Sequence, residues 1–410
     1  MAAGRIAPAA ADLLAVTDAL WLHPAQSELV HGRHVDDGRQ VVREFIFVPN
    51  AARPRLLIPG RPPAASASAL QRYSHALSPT ERVGRIVAAA LLRSGVADRL
   101  LTDRLRISQE AGAPAGPSVE RRLAILLGQE VIVSLGLGNR RANQKPVLHV
   151  LNRSGRALAF VKVGDSPVAK ALISDEALAL AKIAALRLRR VRVPEVLALS
   201  TWNGLELLIL SPLPTTPRRR RSRDHVPFEA IDEVSRAAGV STAALRDSGF
   251  WWRLRGDAAE LRGTEAGTRL SEAVATVDER HGAAMLDFGA WHGDWTAWNM
   301  SWEAGGLSLW DWERFEIGVP LGFDALHYQL RLDIARMGEA QSAGEQLRRC
   351  APQLLARLGV PTDRVELTLS LYLLKLCTRF SLAARGTTGE PLLPRARWLL
   401  NFVCDQPARL

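Results

Sequence analysis

The sequence predicts an α+β protein: a five-stranded sheet with one main helix, then a mainly helical part, with an extra α+β unit at the N-terminus. Short β-type runs bounded by turn residues lie between residues 131 and 210, in the order β-β-β-α-β-β. Helical patterns dominate after residue 228, and residues 1–120 contain strand and helix patterns of their own. We therefore divide the chain into residues 1–120, 121–214 and 215–410.

The composition is that of an ordinary globular protein, with 410 residues of which 47% are hydrophobic and 23% charged. Cys350, Cys377 and Cys404 are too few and too scattered for a disulfide framework or a metal cage, and they fit a reducing compartment. Asp12 and Asp18 interrupt the N-terminal apolar run, and we find no uninterrupted apolar stretch of about 18 residues. We expect a cytoplasmic protein with no membrane partner.

The net charge of +11 comes from the middle of the chain, since residues 122–224 contain 18 Lys+Arg against 7 Asp+Glu. Residues 225–410 contain 20 against 24 and are mildly acidic. The run Arg218–Arg221 lies between Pro217 and Pro227, which favours a solvated linker over an anion or nucleic-acid site. We expect no nucleic-acid partner.

The first 120 residues show a hairpin pattern, with strands at 44–49 and 55–59, and a helix from Thr80 to Ser94. Residues 109–118 are rich in Ala, Gly and Pro and indicate a linker. We expect a separate unit, so that deletion of residues 1–115 leaves a folded core.

The next segment supplies the sheet of the predicted fold. A helix at 119–128 precedes it, and a helix from 166 or 174 to 189 interrupts it. The predicted strands are 131–135, 146–151, 158–163, 195–200 and 205–210.

One loop combines the residue types that phosphoryl transfer needs. It contains His292-Gly293-Asp294, with Asn299 five residues after the aspartate, and a short strand then delivers Asp311-Trp312-Glu313. Such transfer requires an oriented hydroxyl and Mg²⁺ to offset phosphate charge, and Mg²⁺ prefers oxygen ligands. The alternative is that the Asp and Asn are only turn formers.

The pattern H-G-D-x-x-x-x-N followed by D-x-E resembles the aminoglycoside phosphotransferase and choline kinase branch of the protein-kinase-like superfamily. The resemblance implies a two-lobed kinase-like fold, ATP and Mg²⁺ as cofactors, and a small-molecule hydroxyl acceptor. It implies that Asp294 is the catalytic base or hydroxyl-orienting group, and that His292 belongs to the same catalytic loop as a brace.

The same resemblance implies that Asn299 and Asp311 are Mg²⁺ ligands. Glu313 is then a water-mediated metal contact or a local brace. Asp324, in the Gly318–Asp324 segment, takes a structural role in support of the catalytic loop.

Lys162 lies inside an apolar predicted strand, where a lone charge is unfavourable unless it is paired. Glu176 on the next helix is the candidate partner, and Asp175 is the competing one. By the resemblance, the pair of Lys162 and Glu176 binds the α- and β-phosphates. The alternative is a lysine on the solvent face of an edge strand.

Two further segments are assigned to the nucleotide. Gly136 and Gly138 lie in a loop between the first two strands, where glycine allows close approach of the backbone to phosphate. This loop departs from the G-x-G-x-x-G pattern of protein kinases. Ser211 and Leu213 follow the last strand, where the resemblance places the hinge whose backbone groups bind adenine.

The acceptor is less well defined by the sequence. Tryptophans crowd the site, and their faces suit sugar rings or cationic amines. We favour core packing for most of them and Trp295 as the best candidate for an exposed platform. An inactive ATP-binding or scaffold module is the alternative function. A protein kinase is disfavoured because Trp312 and Glu313, not Phe-Gly, follow Asp311.

Overall fold

The computed structural model describes residues 16–21, 26–31, 39–72, 79–94, 101–112, 116–136, 145–214, 225–303, 306–386 and 389–405. The chain divides into two compact units. The first comprises Met1–Ala177 and Glu195–Pro212, and the second comprises Leu178–Pro194 and Leu213–Leu410.

The described strands, in chain order, are β1 (Gln26–His31), β2 (Arg39–Val48), β3 (Leu56–Pro59), β4 (Asp103–Glu110), β5 (Ile132–Gly136), β6 (Val147–Leu151), β7 (Ala157–Gly164), β8 (Val191–Arg192), β9 (Val196–Trp202), β10 (Leu205–Leu210), β11 (Ser241–Ala244), β12 (Met285–Trp291), β13 (Met300–Glu303), β14 (Gly306–Leu309) and β15 (Glu316–Pro320).

The described helices with a complete extent are α1 (Pro63–Arg72), α2 (Pro79–Arg93), α3 (Val119–Leu127), α4 (Pro167–Ala184), α5 (Phe228–Ala237), α6 (Gly249–Ala259), α7 (Glu265–His281), α8 (Phe323–Met337), α9 (Ala340–Ala356), α10 (Val365–Ala384) and α11 (Leu393–Cys404). Short 3₁₀ turns occur at Leu245–Asp247, Thr362–Arg364 and Glu390–Leu392.

The first unit is built on one antiparallel sheet with the strand order β1-β4-β2-β3-β5-β6-β7-β10-β9. The five strands predicted between residues 131 and 210 are neighbours in it, with α4 between β7 and β9. The bounds of β10 are those predicted, and the other four strands lie within two residues of their predicted ends. The predicted α+β arrangement of this segment, five neighbouring strands with one helix, is therefore confirmed.

The sheet does not end at the predicted boundary near residue 120. Strand β3 pairs with β5 through Leu56 opposite Gly136 and Leu57 opposite Leu135, and the Ser134 hydroxyl donates to the Leu57 carbonyl at 2.9 Å. The expectation of a separate N-terminal unit was wrong in this respect, because the free edge of β5 is completed by β3. The three-part division of the chain stays a prediction.

A common core joins the N-terminal part of the first unit to the five predicted strands. Trp21 and Phe47 from the N-terminal part pack in one buried cluster with Val133 and Ile209 from the five predicted strands. The Trp21 indole N–H also donates to the buried Glu120 carboxylate at 2.7 Å. Two strands of the N-terminal part, β1 and β4, were not predicted, and the end of β4 occupies the start of the predicted linker at 109–118.

The second unit is mainly helical and packs around α10. Two small sheets, β11-β12-β15 and β13-β14-β8, lie within it. The segment Thr362–Ala384 is long and apolar enough to cross a membrane by length and composition, but 67% of its most apolar window is buried. Core helices of soluble proteins show the same combination, so this helix is weak support for a membrane span.

The pairing of β3 with β5 changes what we expect from truncation. Deletion of residues 1–115 would uncover the hydrogen-bonding edge of β5 and the apolar core beneath it, and exposed sheet edges promote aggregation. We therefore expect an aggregated product in size-exclusion chromatography. Deletion of residues 1–15, which removes no described strand, is the control. A monodisperse, cooperatively unfolding fragment 116–410 would contradict this account.

Candidate active site

The loop His292-Gly293-Asp294 follows β12 directly, at the end of a strand whose neighbours are β11 and β15. Gly293 has φ 82°, and a Cβ atom at this position would lie 2.3 Å from the Arg314 carbonyl oxygen. A side chain at Gly293 would therefore be strained and would collide with backbone. The glycine of the H-G-D motif is a requirement of the turn.

Asp324, in the first turn of α8, anchors this loop. Its buried carboxylate accepts hydrogen bonds from the backbone N–H of His292 at 2.6 Å and of Gly293 at 3.1 Å. Burial raises the pKa of Asp324 to about 7, while the two backbone donors act to lower it. These contacts are the loop-supporting role that the sequence predicts for Asp324.

His292 braces the loop from inside. Its Nδ1 accepts from the Asp294 backbone N–H at 3.2 Å, so its proton lies on Nε2, which donates to the Trp310 carbonyl at 3.1 Å. The ring is fully buried and contacts Trp312 edge-on, with centroids 4.6 Å apart. Burial lowers the pKa of His292 to about 4, so the ring is neutral at pH 7.

Asp294 is the acidic group that this loop presents. One side-chain oxygen lies 3.2 Å from His327 Nε2, and the other accepts from the Asn299 amide nitrogen at 3.1 Å. The side chain is 34% exposed. Burial acts to raise the pKa of Asp294, but the His327 hydrogen bond and the charge of Arg379 outweigh it and hold the pKa well below its usual value.

His327 contacts Asp294, and Tyr372 contacts His327. Neither residue was predicted from the sequence. His327 lies on α8 one turn after Asp324, and its Nδ1 lies 3.0 Å from the Tyr372 hydroxyl of α10. Both side chains are buried. Two signals could have found them: the three-residue spacing of Asp324 and His327 on a helix, and a tyrosine within an apolar helix of a chain that has only 3 tyrosines.

Arg379 was also missed. Its guanidinium, two helical turns after Tyr372 on α10, donates to the Gly293 carbonyl at 2.7 Å and lies 5.9 Å from the centre of the Trp291 ring. Burial lowers the pKa of Arg379 to about 10, so the group stays charged at neutral pH. It places a cation next to the loop that carries Asp294.

The predicted metal ligands lie at the open end of the β13–β14 hairpin. Asn299 and Trp310 pair at its open end, where the Trp310 N–H donates to the Asn299 carbonyl at 3.0 Å. Asp311 comes next and has φ 73°, a left-handed conformation that is uncommon for residues other than glycine. Carboxylate oxygens of Asp311 and Glu313 lie within 4.8 Å of one another.

These donors fit a hard divalent cation. The Asn299 amide nitrogen donates to the carboxylate and to the carbonyl of Asp294, the latter at 3.0 Å, which leaves its amide oxygen as the atom for a metal. Oxygen atoms of Asn299, Asp311 and Glu313 are the type of ligand that Mg²⁺ prefers.

Lys162 on β7 is paired as the sequence predicts. Its ammonium lies 2.5 Å from the Glu176 carboxylate on α4, and Glu176 is fully buried. Asp175, the competing partner, is exposed. Such a buried pair is costly to break because one charge would be left alone.

The remaining predicted nucleotide residues are only partly described. Gly136 ends β5 and is paired with strand residues on both sides, whereas Gly138 lies outside the described residues. The Ser211 N–H donates to the Glu195 carbonyl at 2.8 Å, so the backbone donor of Ser211 is already used. Leu213 is half-buried.

Comparison with known proteins bears on the same region. Residues 147–327 of this chain match the model of the family described as Phosphotransferase enzyme family, or APH.

These residues are thus similar to the phosphotransferase enzyme family.

Solved structures with similar folds include aminoglycoside phosphotransferases. The ternary complex of a thermostable APH(4)-Ia mutant with ADP and hygromycin B has 15% identity and a TM-score of 0.46, covering 72% of this chain and 98% of that chain. ADP-bound APH(2'')-Ib has 13% identity and a TM-score of 0.41, covering 70% and 97%. The similarity to the family model is confined to residues 147–327. Curated protein sequences gave no significant match.

Three tryptophans around the His292–Asp294 loop, Trp291, Trp295 and Trp312, are buried in the core. Trp295 is fully buried, so its prediction as an exposed platform was wrong: it packs against His292, with ring centroids 5.9 Å apart. Trp298 is half-buried beneath the Arg331 guanidinium at 5.0 Å, and Trp252 is 70% exposed. The run Arg218–Arg221 lies outside the described residues.

The buried side chains of His292 and His327 make stability depend on pH. Burial lowers the pKa of His292 and of His327 from 6.5 to about 4, so the unfolded chain binds more protons between these values. The stability that these two neutral histidines contribute is fully present above pH 6.5 and is lost as pH falls toward 4. At pH 5 the loss is on the order of 2 kcal/mol for each histidine.

The measurement is urea unfolding at pH 8, 6.5 and 5 for the wild type and for His327→Gln. We expect the variant to lose roughly half of the fall in unfolding free energy that the two histidines cause. His225→Gln, at an exposed histidine, is the control. Identical pH dependence in the wild type and His327→Gln would show that His327 is not buried in its neutral form.

Proposed function

We propose that the chain transfers the γ-phosphate of ATP to a hydroxyl group of a small molecule, with Asp294 next to the reacting hydroxyl. The observation that carries this proposal is the carboxylate of Asp294, ionised, one-third exposed and fixed by His327 and Asn299 within the phosphotransferase-family region. A small-molecule phosphotransferase is the function that this family supports.

In the proposed step, the acceptor oxygen forms a bond to the γ-phosphorus while the bond from that phosphorus to the β–γ bridging oxygen breaks, and ADP leaves. The hydroxyl proton passes to Asp294. Because the pKa of Asp294 is held low, the carboxylate is a weak base. Its main contribution is then to orient the hydroxyl and to take the proton late, as a loose transition state allows.

The nucleotide is assigned to residues of the segment 121–214. We propose that Lys162, held by Glu176, binds the α- and β-phosphates, and that Gly136 and Gly138 approach them through backbone. The adenine would use the backbone of Ser211 and Leu213. Since the Ser211 N–H already has a protein partner, its carbonyl and the groups of Leu213 are the better candidates.

Asn299, Asp311 and Glu313 would hold Mg²⁺, which when bound neutralises charge on the β- and γ-phosphate oxygens. Their oxygen atoms supply the ligand chemistry, and Asn299 connects the metal site to Asp294 by its amide nitrogen. Glu313 is also within 3.8 Å of Arg314, so a role as a local brace stays open to test.

The proposed acceptor is a sugar, an amino alcohol or an aminoglycoside-like molecule, in a cytoplasmic setting. Residues 225–410 carry 24 acidic against 20 basic residues, a small excess for a polycationic acceptor. The test is mass spectrometry of pooled sugars, amino alcohols and hydroxylated antibiotics after incubation with Mg-ATP. One phosphorylated product supports the proposal. ATP binding without any product would favour the inactive, scaffold alternative.

Asp294→Asn should abolish transfer because a neutral amide cannot accept the hydroxyl proton. We expect kcat to fall about 10²- to 10⁴-fold, the usual range for loss of a general acid–base group, while ATP affinity stays within about twofold. Product formation and ATP binding by calorimetry are measured on the same preparation.

Asp287→Asn is the matched control, an exposed aspartate on β12, the strand that precedes the loop, and its partner is the Thr242 hydroxyl at 2.6 Å. Turnover by Asp294→Asn at the control's rate would remove Asp294 from the reaction.

Asp311→Ala should weaken ATP binding in the presence of Mg²⁺ because it removes a carboxylate ligand. We expect a loss of affinity of at least about tenfold with Mg²⁺ and little change with EDTA. Asp363→Ala, at an exposed acid paired with Arg364 at 2.9 Å, is the control. Equal Mg²⁺ dependence in the wild type and Asp311→Ala would contradict the metal assignment.

A further inference from the structure

A buried polar chain leads from helix α10 to the carboxylate of Asp294. The Tyr372 hydroxyl lies 3.0 Å from His327 Nδ1, and His327 Nε2 lies 3.2 Å from one Asp294 oxygen. Tyr372 and His327 are 0% and 1% exposed, so water does not compete for these bonds. Neither residue belongs to the H-G-D or D-x-E motif.

The direction of the hydrogen bonds follows from the acceptor at the end of the chain. An ionised carboxylate only accepts, so His327 Nε2 must carry a proton. In a neutral imidazole the other nitrogen is then an acceptor, and the Tyr372 O–H donates to it. Burial raises the pKa of Tyr372 and lowers that of His327 to about 4, so both side chains keep these states at neutral pH.

We infer that His327, with its tautomer set by Tyr372, is the positioning residue that fixes the Asp294 carboxylate toward the acceptor hydroxyl. This inference rests on the proposed phosphotransferase function. His327 acts through Asp294, and Tyr372 acts through His327.

The geometry explains why a second support is needed. Without His327, the side-chain hydrogen bonds that the described residues make to the Asp294 carboxylate would reduce to the one from the Asn299 amide nitrogen at 3.1 Å. The carboxylate could then rotate about its Cβ–Cγ bond. Asn299 is itself assigned to the metal. A contact from His327 on the other oxygen fixes the carboxylate plane independently of the metal site.

A neutral donor is suited to this role. Since His327 is uncharged, it orients Asp294 without cancelling its negative charge, and the lone pairs that remain can accept from a hydroxyl. Misplacement of a reacting group by about 1 Å typically lowers the rate about 10²-fold. His327 should therefore affect kcat much more than the KM for ATP.

The competing explanation is that His327 and Tyr372 only pack α8 against α10. Their rings are 6.1 Å apart in an edge-on arrangement, and Tyr372 also packs edge-on against Phe323 at 5.6 Å. A packing role depends on ring volume. A positioning role depends on the Nε2 donor, so two variants at one position can separate them.

The experiment measures kcat and the KM for ATP of the full chain with Mg-ATP and the pooled hydroxyl compounds. His327→Leu removes the donor, whereas His327→Gln places an amide nitrogen where the ring Nε2 lies. We expect about a 10²-fold loss of kcat in His327→Leu, a KM within about twofold, and recovery of most of the kcat in His327→Gln. Tyr372→Phe should give a smaller loss of kcat.

The outcomes separate this inference from the proposed function. A wild type without turnover overturns both. An active wild type with kcat unchanged in His327→Leu, or with His327→Gln as slow as His327→Leu, overturns only the positioning role. If thermal unfolding shows that His327→Leu does not fold, the other two variants decide. A reduced kcat in Tyr372→Phe together with a near-normal kcat in His327→Gln supports the inference. An unchanged kcat in Tyr372→Phe opposes it. His225→Gln is the control.

Discussion

The buried carboxylate of Asp324 holds the His292–Asp294 loop in place by accepting hydrogen bonds from two of its backbone N–H groups. These bonds fix the turn at Gly293, whose positive φ and contact with Arg314 admit only glycine. With the turn fixed, the His292 ring points inward to the Trp310 carbonyl, and the Asp294 side chain points to the exposed side. The loop is thus preorganised, which is the main contribution that a protein can make to phosphoryl transfer.

The electrostatics of the loop depend on keeping neutral groups neutral. Two buried histidines flank Asp294, and burial lowers both of their pKa values, so they donate hydrogen bonds without adding charge. Arg379 is a half-buried cation next to the loop and acts to lower the pKa of Asp294. This arrangement favours an ionised, oriented carboxylate over a strong base.

Local patterns predicted the elements and the motif residues, because strand periodicity, turns and the H-G-D spacing are local features. The pairing of Lys162 with Glu176 was predictable because a lysine inside an apolar strand needs a partner. The pairing of β3 with β5 was not predictable, since it joins residues far apart in sequence. The same holds for the contact of His327 with Asp294 and the contact of Tyr372 with His327. Trp295 was misplaced because an aromatic residue beside Asp294 suits a core position as well as an exposed one.

The central claim, that two neutral histidines hold the loop and its carboxylate, can be measured by long-range ¹H–¹⁵N NMR of histidine-labelled protein at pH 7. Variants His292→Gln and His327→Gln would assign the two rings among the 9 histidines. The account predicts that both rings are neutral with the proton on Nε2. An imidazolium, or a proton on Nδ1, in either ring would contradict it.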